Sequence, residues 1–72
     1  MFEDRMIESR YEFVVVSDVR GKLSEHKKIN LAWDAAEKHA EHGISGEHIN
    51  VLEAGLEDGQ GAWGVTRDVI IA

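Results

Sequence analysis

The sequence predicts an α+β fold, in which a single helix covers one face of an antiparallel sheet of three or four strands. Three segments predict it: an early apolar stretch, a central amphipathic stretch with helical periodicity, and a final part that alternates around a glycine-rich turn. The expected order is strand, short strand, helix, strand, strand. A chain of 72 residues has room for one domain, which we place over residues 11–72, after an N-terminal extension of residues 1–10.

The first strand is predicted in the segment YEFVVVSDV. Alternation places one set of side chains on one face and Val14 and Val16 on the other; the first set is Tyr11, Phe13, Val15 and Val19. Gly21 is expected to supply the turn that reverses the chain. Residues 23–29 fit either a loop with a short returning strand or an early helix that begins at Ser24. We favour a short strand around Lys27–Ile29.

The helix is predicted from Asn30 to Gly43. Asn30 is expected to cap the first amides, Asp34 lies near the positive helix start, and Gly43 is expected to end the helix in the left-handed conformation. Helical periodicity turns Asp34, Glu37 and Glu41 outward together with Lys38. The opposite face, expected to pack on the sheet, contains Ala32, Trp33, Ala35, Ala36, His39, Ala40 and Ile44.

The last part predicts a hairpin, with a strand from about His48, a turn in the segment EDGQG and a final strand to the C-terminus. Gly55 and Gly64 suggest a bulge or a close backbone approach. One face of the final strand is expected to carry Trp63, Val65, Val69 and Ile71.

Charge and composition limit the classes of function. The formal charge is −6, and residues 37–72 carry most of it, with seven acids and two bases. This charge opposes a nucleic-acid backbone and favours a protein partner with a basic surface. We expect no direct nucleic-acid binding.

The sequence contains no apolar run long enough for a membrane span and no signal-peptide core, so we expect no membrane association and a cytoplasmic location. A core this thin, without cysteines, makes a homo-oligomer possible.

Few residues of the sequence have a type and spacing that suggest metal binding or catalysis. His39, His42 and His48 are close in sequence, but their predicted faces diverge, so we expect no metal site. Glu53, Glu57 and Asp58 lie in or beside an expected exposed turn, so we expect no paired carboxylates for acid–base catalysis there. No serine or threonine has the sequence context of a nucleophile beside a base, at positions Ser9, Ser17, Ser24, Ser45 and Thr66. We therefore expect neither enzymatic activity nor a cofactor.

The remaining hypothesis is a non-enzymatic protein-binding module. Its partner-binding residues are predicted to be Asp34, Glu37, Glu41, Glu53, Glu57, Asp58 and Trp63. The alternative is that these acids only form a solvated face. Trp33 and Trp63 are each expected to be core anchors, with the alternative that one of them is exposed as a binding hot spot.

The sequence also resembles two families of small proteins. Through YEFVVV, NLAWDAAEKHA and INVLE, the chain from Tyr11 resembles small phage-encoded inhibitors that block host RNA polymerase or CRISPR complexes. This resemblance implies inhibition of a host protein complex through acidic residues that meet a basic groove. Through VLEAG, LEDG and AWGVTRDV, the C-terminal half resembles dodecins, which are small flavin-binding proteins that assemble into hollow dodecamers. Ile49 stands near the position where that family's flavin-stacking tryptophan is expected.

Overall fold

A computed structural model describes residues 11–54 and 63–72. The elements are β1 (Phe13–Ser17), β2 (Gly21–His26), α1 (Ile29–Glu41), β3 (His48–Ala54) and β4 (Trp63–Ile70). The four strands form one antiparallel sheet in the order β2-β1-β3-β4, and α1 packs on one face of it. This confirms the predicted α+β fold, with four strands. The predicted extension over residues 1–10 and the predicted turn at residues 57–61 lie outside the described residues.

The second strand lies earlier than predicted. Gly21, at a φ of 81°, completes the expected turn, and β2 runs from there to His26. Lys27 and Lys28 form a bend, and Ile29 is already helical, so the short strand predicted around Lys27–Ile29 is wrong. The reason is tertiary: a tight turn places the residues directly after it against β1, and this pairing outweighs their weak strand propensity.

Both predicted helix caps are also wrong. The N-cap position is Lys28, which makes no side-chain cap hydrogen bond, and Asn30 lies inside the first turn. Gly43 does not have a positive φ; among the described glycines only Gly21 and Gly46 do. A Cβ at Gly43 would overlap the side chains of Ile71 and Glu47. Gly43 is therefore suited to close packing at the helix end and not to a left-handed cap.

The core between α1 and the sheet is narrow. Its fully buried members are Val15, Ala32, Ala36, Ile49 and Val51. Two alanines are thus the fully buried residues of the helix, and the partly buried Ala35 and Ala40 pack against the same cluster, which confirms the predicted alanine face. Trp33 is 37% exposed and Ile44 is 61% exposed, so the prediction that both pack in the core is wrong. A second buried cluster lies on the opposite sheet face and contains Val14, Val16 and Leu52.

A β-bulge changes the sheet face on which side chains of β4 lie. The register between β3 and β4 shifts at Val51/Leu52, where Thr66 is the extra residue. Val65 consequently pairs with Leu52 on the face away from the helix, whereas Val69 pairs with Ile49 on the helix face. The predicted common face for Val65 and Val69 is therefore wrong. The bulge is not at Gly64, and nothing lies within 4 Å of a Cβ built there. Gly55 is outside the described residues.

The two outer strands share features that oppose further strand pairing. The register between β1 and β2 also contains a shift, between Val15 and Val16, so each edge strand is joined to the sheet through an irregular ladder. Lys22, Glu25, Arg67 and Asp68 add charges to these strands. Bulges and charged side chains are common devices against edge-to-edge association. In the described part of the chain, no helix has both the length and the apolar character needed to cross a membrane.

Candidate functional site

The outer face of α1 carries the three acids that periodicity places there. Asp34, Glu37 and Glu41 are all exposed, and the Glu37 side chain is 61% accessible. Trp33, Glu37 and Glu41 follow one another at intervals of four residues, so they form a column along one flank of the helix. This flank lies on the side of β4, because Trp33 and Glu37 both contact Arg67 of that strand.

Arg67 connects the helix flank to the edge strand. It pairs with Val51 and therefore projects from the helix side of the sheet. Its guanidinium carbon lies 5.7 Å from the centre of the Trp33 ring, and its Nη2 lies 3.1 Å from Oε1 of Glu37. A cation over an indole face is attracted by the ring quadrupole. The contacts hold the half-exposed ring of Trp33 in place beside the acids. The sequence prediction missed Arg67, although a cation that interrupts an apolar strand was visible.

The other predicted partner-binding residues are not all brought to this surface. Glu53 is exposed on β3, where it pairs with Phe13 and Gly64. Trp63 is the first residue of β4 and pairs with Ala54; nothing is described of its side chain. Glu57 and Asp58 lie outside the described residues. The structure thus groups Asp34, Glu37 and Glu41 with Trp33 and Arg67, and we call these five residues the helix-flank surface.

The three histidines considered as a metal cluster are separated. His48 lies on the sheet face away from the helix, with Nδ1 3.4 Å from Oδ1 of Asp68. His42 is exposed at the helix C-cap, and His39 points toward β2. Among residues 11–54 and 63–72, no group of three or more histidine, cysteine, aspartate or glutamate side chains is arranged to hold a metal ion.

A different arrangement joins His39 to two residues of β2. The Ser24 hydroxyl lies 2.7 Å from Nε2 of His26 and 3.2 Å from Nε2 of His39. Burial lowers the pKa of His26, and burial followed by the charges of Arg20, His26 and His42 lowers the pKa of His39. The expectation that no serine lies beside a base is therefore wrong at Ser24. His26 was missed because its position on β2 depends on the strand register.

A second polar cluster is centred on Glu47, whose side chain is buried. Its Oε2 accepts hydrogen bonds from the Ser17 hydroxyl and, at 2.7 Å, from Arg20 Nε; its Oε1 accepts one from the Ile44 amide at 3.0 Å. The hydrogen bonds from Ser17 and Arg20 are the main causes that lower the pKa of Glu47 to about 2. All its oxygens are satisfied, as expected of a structural carboxylate. Nothing in the sequence pattern distinguishes Glu47 from the exposed acids.

Arg20 extends the Glu47 cluster to the helix end. Its Nη2 donates a hydrogen bond to the carbonyl oxygen of His39 at 2.9 Å. The same carbonyl accepts a hydrogen bond from the His42 amide at 3.1 Å, so Arg20 supplies a second partner at the end of the helix. The cluster ties together the turn after β1, the end of α1 and the start of β3.

Comparison with known proteins adds no relative, since no protein-family model, curated protein or solved structure matches the chain.

Proposed function

We propose that the chain is a non-enzymatic protein-binding module that recognises a basic surface of its partner through the helix-flank surface. The observation that carries the proposal is the partly exposed indole of Trp33, which Arg67 contacts while the same guanidinium pairs with Glu37 of the helix. Interface hot spots are enriched in tryptophan and arginine. Acids around such an anchor favour a basic partner and raise the rate of encounter.

The arrangement around Ser24 supports a binding role better than nucleophilic catalysis. The hydroxyl is shared between two imidazoles, and a catalytic serine also needs a third group that orients the base and donors for an oxyanion. In the described part of the chain, the imidazole paired with a carboxylate is His48, which lies on the other sheet face. We therefore assign the function to the exposed helix flank.

The resemblance to phage-encoded inhibitors makes the proposal more specific. In this form the partner is a host protein complex with a basic groove, and binding of the acidic module blocks it. The small size of the chain, its charge of −6 and the acids on the helix-flank surface support this form. The dodecin resemblance would instead require a large closed assembly that binds flavin, and a measured mass of one or two chains would exclude it.

Capture from the lysate of a candidate host tests the proposal. The test variant is Asp34→Lys with Glu41→Lys, which reverses two charges and leaves the Glu37–Arg67–Trp33 contacts in place. The matched control is Glu12→Lys with Asp68→Lys, which makes the same change in net charge at exposed positions elsewhere. Trp33→Ala removes the anchor.

We expect the control to retain the partner and both helix variants to lose most of it, at least tenfold in affinity for a hot-spot tryptophan. Equal capture by all variants would show that the helix flank is not the binding surface.

A further inference from the structure

Two imidazole nitrogens, one from an edge strand and one from the helix, converge on a single point. Nε2 of His26 and Nε2 of His39 lie 2.7 Å and 3.2 Å from the Ser24 hydroxyl oxygen. From this geometry we infer that His26 and His39 form a binding site for a divalent transition-metal ion such as Zn²⁺. The ion takes the place of the hydroxyl group between the two rings, and water completes its coordination.

The two-residue period of a strand and the 3.6-residue period of a helix place the two ligands on the same side of the fold. Ser24 and His26 are two residues apart on β2 and pair with Val15 and Phe13, so both project toward the helix. His39 lies three residues after the buried Ala36, which turns it toward the sheet. Ligands that project from a strand and a helix in this way are held by the packing of the core and not by a loop.

The donor atoms select the class of metal. Imidazole nitrogen is a preferred ligand of zinc, copper and nickel, whereas magnesium and calcium prefer oxygen. A zinc–nitrogen bond is about 2.0–2.1 Å long, so from 2.7 Å and 3.2 Å the ring of His26 needs to approach the centre by about 0.6–0.7 Å and that of His39 by about 1.1–1.2 Å. The Ser24 side chain has one rotatable heavy-atom bond and can turn its hydroxyl away. His26 and His39 are only half-buried, which leaves room for water on the open side.

Protonation and local charge are compatible with a cation near neutral pH. A histidine must be neutral to bind a metal, and burial, which lowers the pKa of both rings, favours their neutral form. Arg20 is the permanent cation that acts on His39. Its charge is balanced by Glu47 at 2.7 Å.

Two protein ligands make a weaker site than the three or four of known zinc sites, so we expect exchangeable binding. The chain has four histidines, and the test replaces each of them separately. His26→Gln and His39→Gln remove the proposed ligands, whereas His42→Gln and His48→Gln remove the other two imidazoles. Zn²⁺ is titrated into the whole chain at a pH about one unit above the ordinary histidine value of about 6.5, with Mg²⁺ as the comparison ion.

The result expected is one saturable Zn²⁺ per chain, with ¹⁵N shifts at Nε2 of His26 and His39 in the unmodified protein. Binding is lost in His26→Gln and His39→Gln and kept in His42→Gln and His48→Gln, while Mg²⁺ gives no such shifts. Circular dichroism establishes whether each variant is folded. The ¹⁵N shifts in the unmodified protein test the site even if a variant does not fold. Absence of saturable binding would overturn the proposal. Shifts confined to His42 or His48, or loss of binding in His42→Gln, would assign the metal to another histidine pair and also overturn it.

Discussion

Arg20 and Glu47 form an ion pair of 2.7 Å whose carboxylate side is buried and whose guanidinium side is about one-third exposed. The same guanidinium bonds the last turn of α1, and the same carboxylate bonds Ser17 of β1. The helix has only two fully buried residues, both alanines, so its apolar contacts with the sheet are limited. The contact of Arg20 with the helix end therefore adds to the apolar packing that positions the helix.

We expect Glu47→Gln and Ser17→Ala each to lower the free energy of unfolding, because each side chain makes three hydrogen bonds in this cluster. Ser17→Ala removes the hydroxyl that donates to the buried Glu47 carboxylate and accepts from the Val19 and Arg20 amides, and each unmade hydrogen bond of a buried group costs about 1–3 kcal/mol. Glu47→Gln weakens the contacts to Ser17, Arg20 and Ile44 together. Urea unfolding measures both, with the exposed Glu41→Gln as the control, which should stay within about 0.5 kcal/mol. A Glu47→Gln variant as stable as that control would contradict a structural role for this cluster.

Acid should destabilise the protein through Glu47. Its pKa is about 2 in the folded protein and 4.5 as the reference value, so the unfolded chain binds the proton more readily. The stabilisation is present above the unfolded pKa and is lost as the pH falls from about 4.5 to about 2. Thermal unfolding across this window should show a fall in Tm that is smaller in Glu47→Gln. An identical pH slope in the variant would exclude Glu47 as its source.

A second pH dependence should arise at higher pH from His26 and His39. Both have a lowered pKa in the folded protein, so the unfolded chain takes up protons first as the pH falls through the reference value of 6.5. Their contribution to the free energy of unfolding should therefore be fully present above that pH and decrease below it. The double variant His26→Gln with His39→Gln should flatten this part of the profile, measured by urea unfolding without added metal. An unchanged profile in the double variant would exclude these two histidines as its source.

Two glycines should respond to alanine in opposite directions. A Cβ at Gly43 overlaps Ile71 and Glu47, so Gly43→Ala should destabilise by about 1–3 kcal/mol through overpacking. Gly64 has open space and no positive φ, so Gly64→Ala should be neutral or stabilise by about 0.4–1 kcal/mol, because it restricts the unfolded chain. Chemical denaturation compares the two. Similar effects at both positions would contradict close packing at Gly43.

Two isoleucines on adjacent strands offer a test of the core. Ile49 on β3 is fully buried, whereas Ile70 on β4 is 60% exposed. Ile49→Ala should lower the free energy of unfolding by about 2–5 kcal/mol, because it creates a cavity under the helix. Ile70→Ala should change it by about 0.5 kcal/mol or less. A large loss for Ile70→Ala in a monomeric sample would mean that its side chain packs more tightly than its exposure indicates.

Much of the architecture could be predicted because it depends on local pattern. Alternation in residues 13–17 divides the side chains between the two buried sheet faces, and the alanine spacing of the helix buries one helix face. Gly21 meets the positive φ of a tight turn. The outward direction of Asp34, Glu37 and Glu41 follows from the same helical period. These features need no knowledge of distant residues, and the sequence by itself determined them.

Other features were decided only by the tertiary structure. The bulge at Thr66 moved Val65 to the opposite sheet face, and the helix position left Trp33 at the margin of the core beside Arg67. The convergence of His26 with His39, and of Ser17 with Glu47, joins residues far apart in the chain. Strand register and the docking of the helix set these contacts, because both are determined by the burial of the whole core and not by any short segment of the sequence.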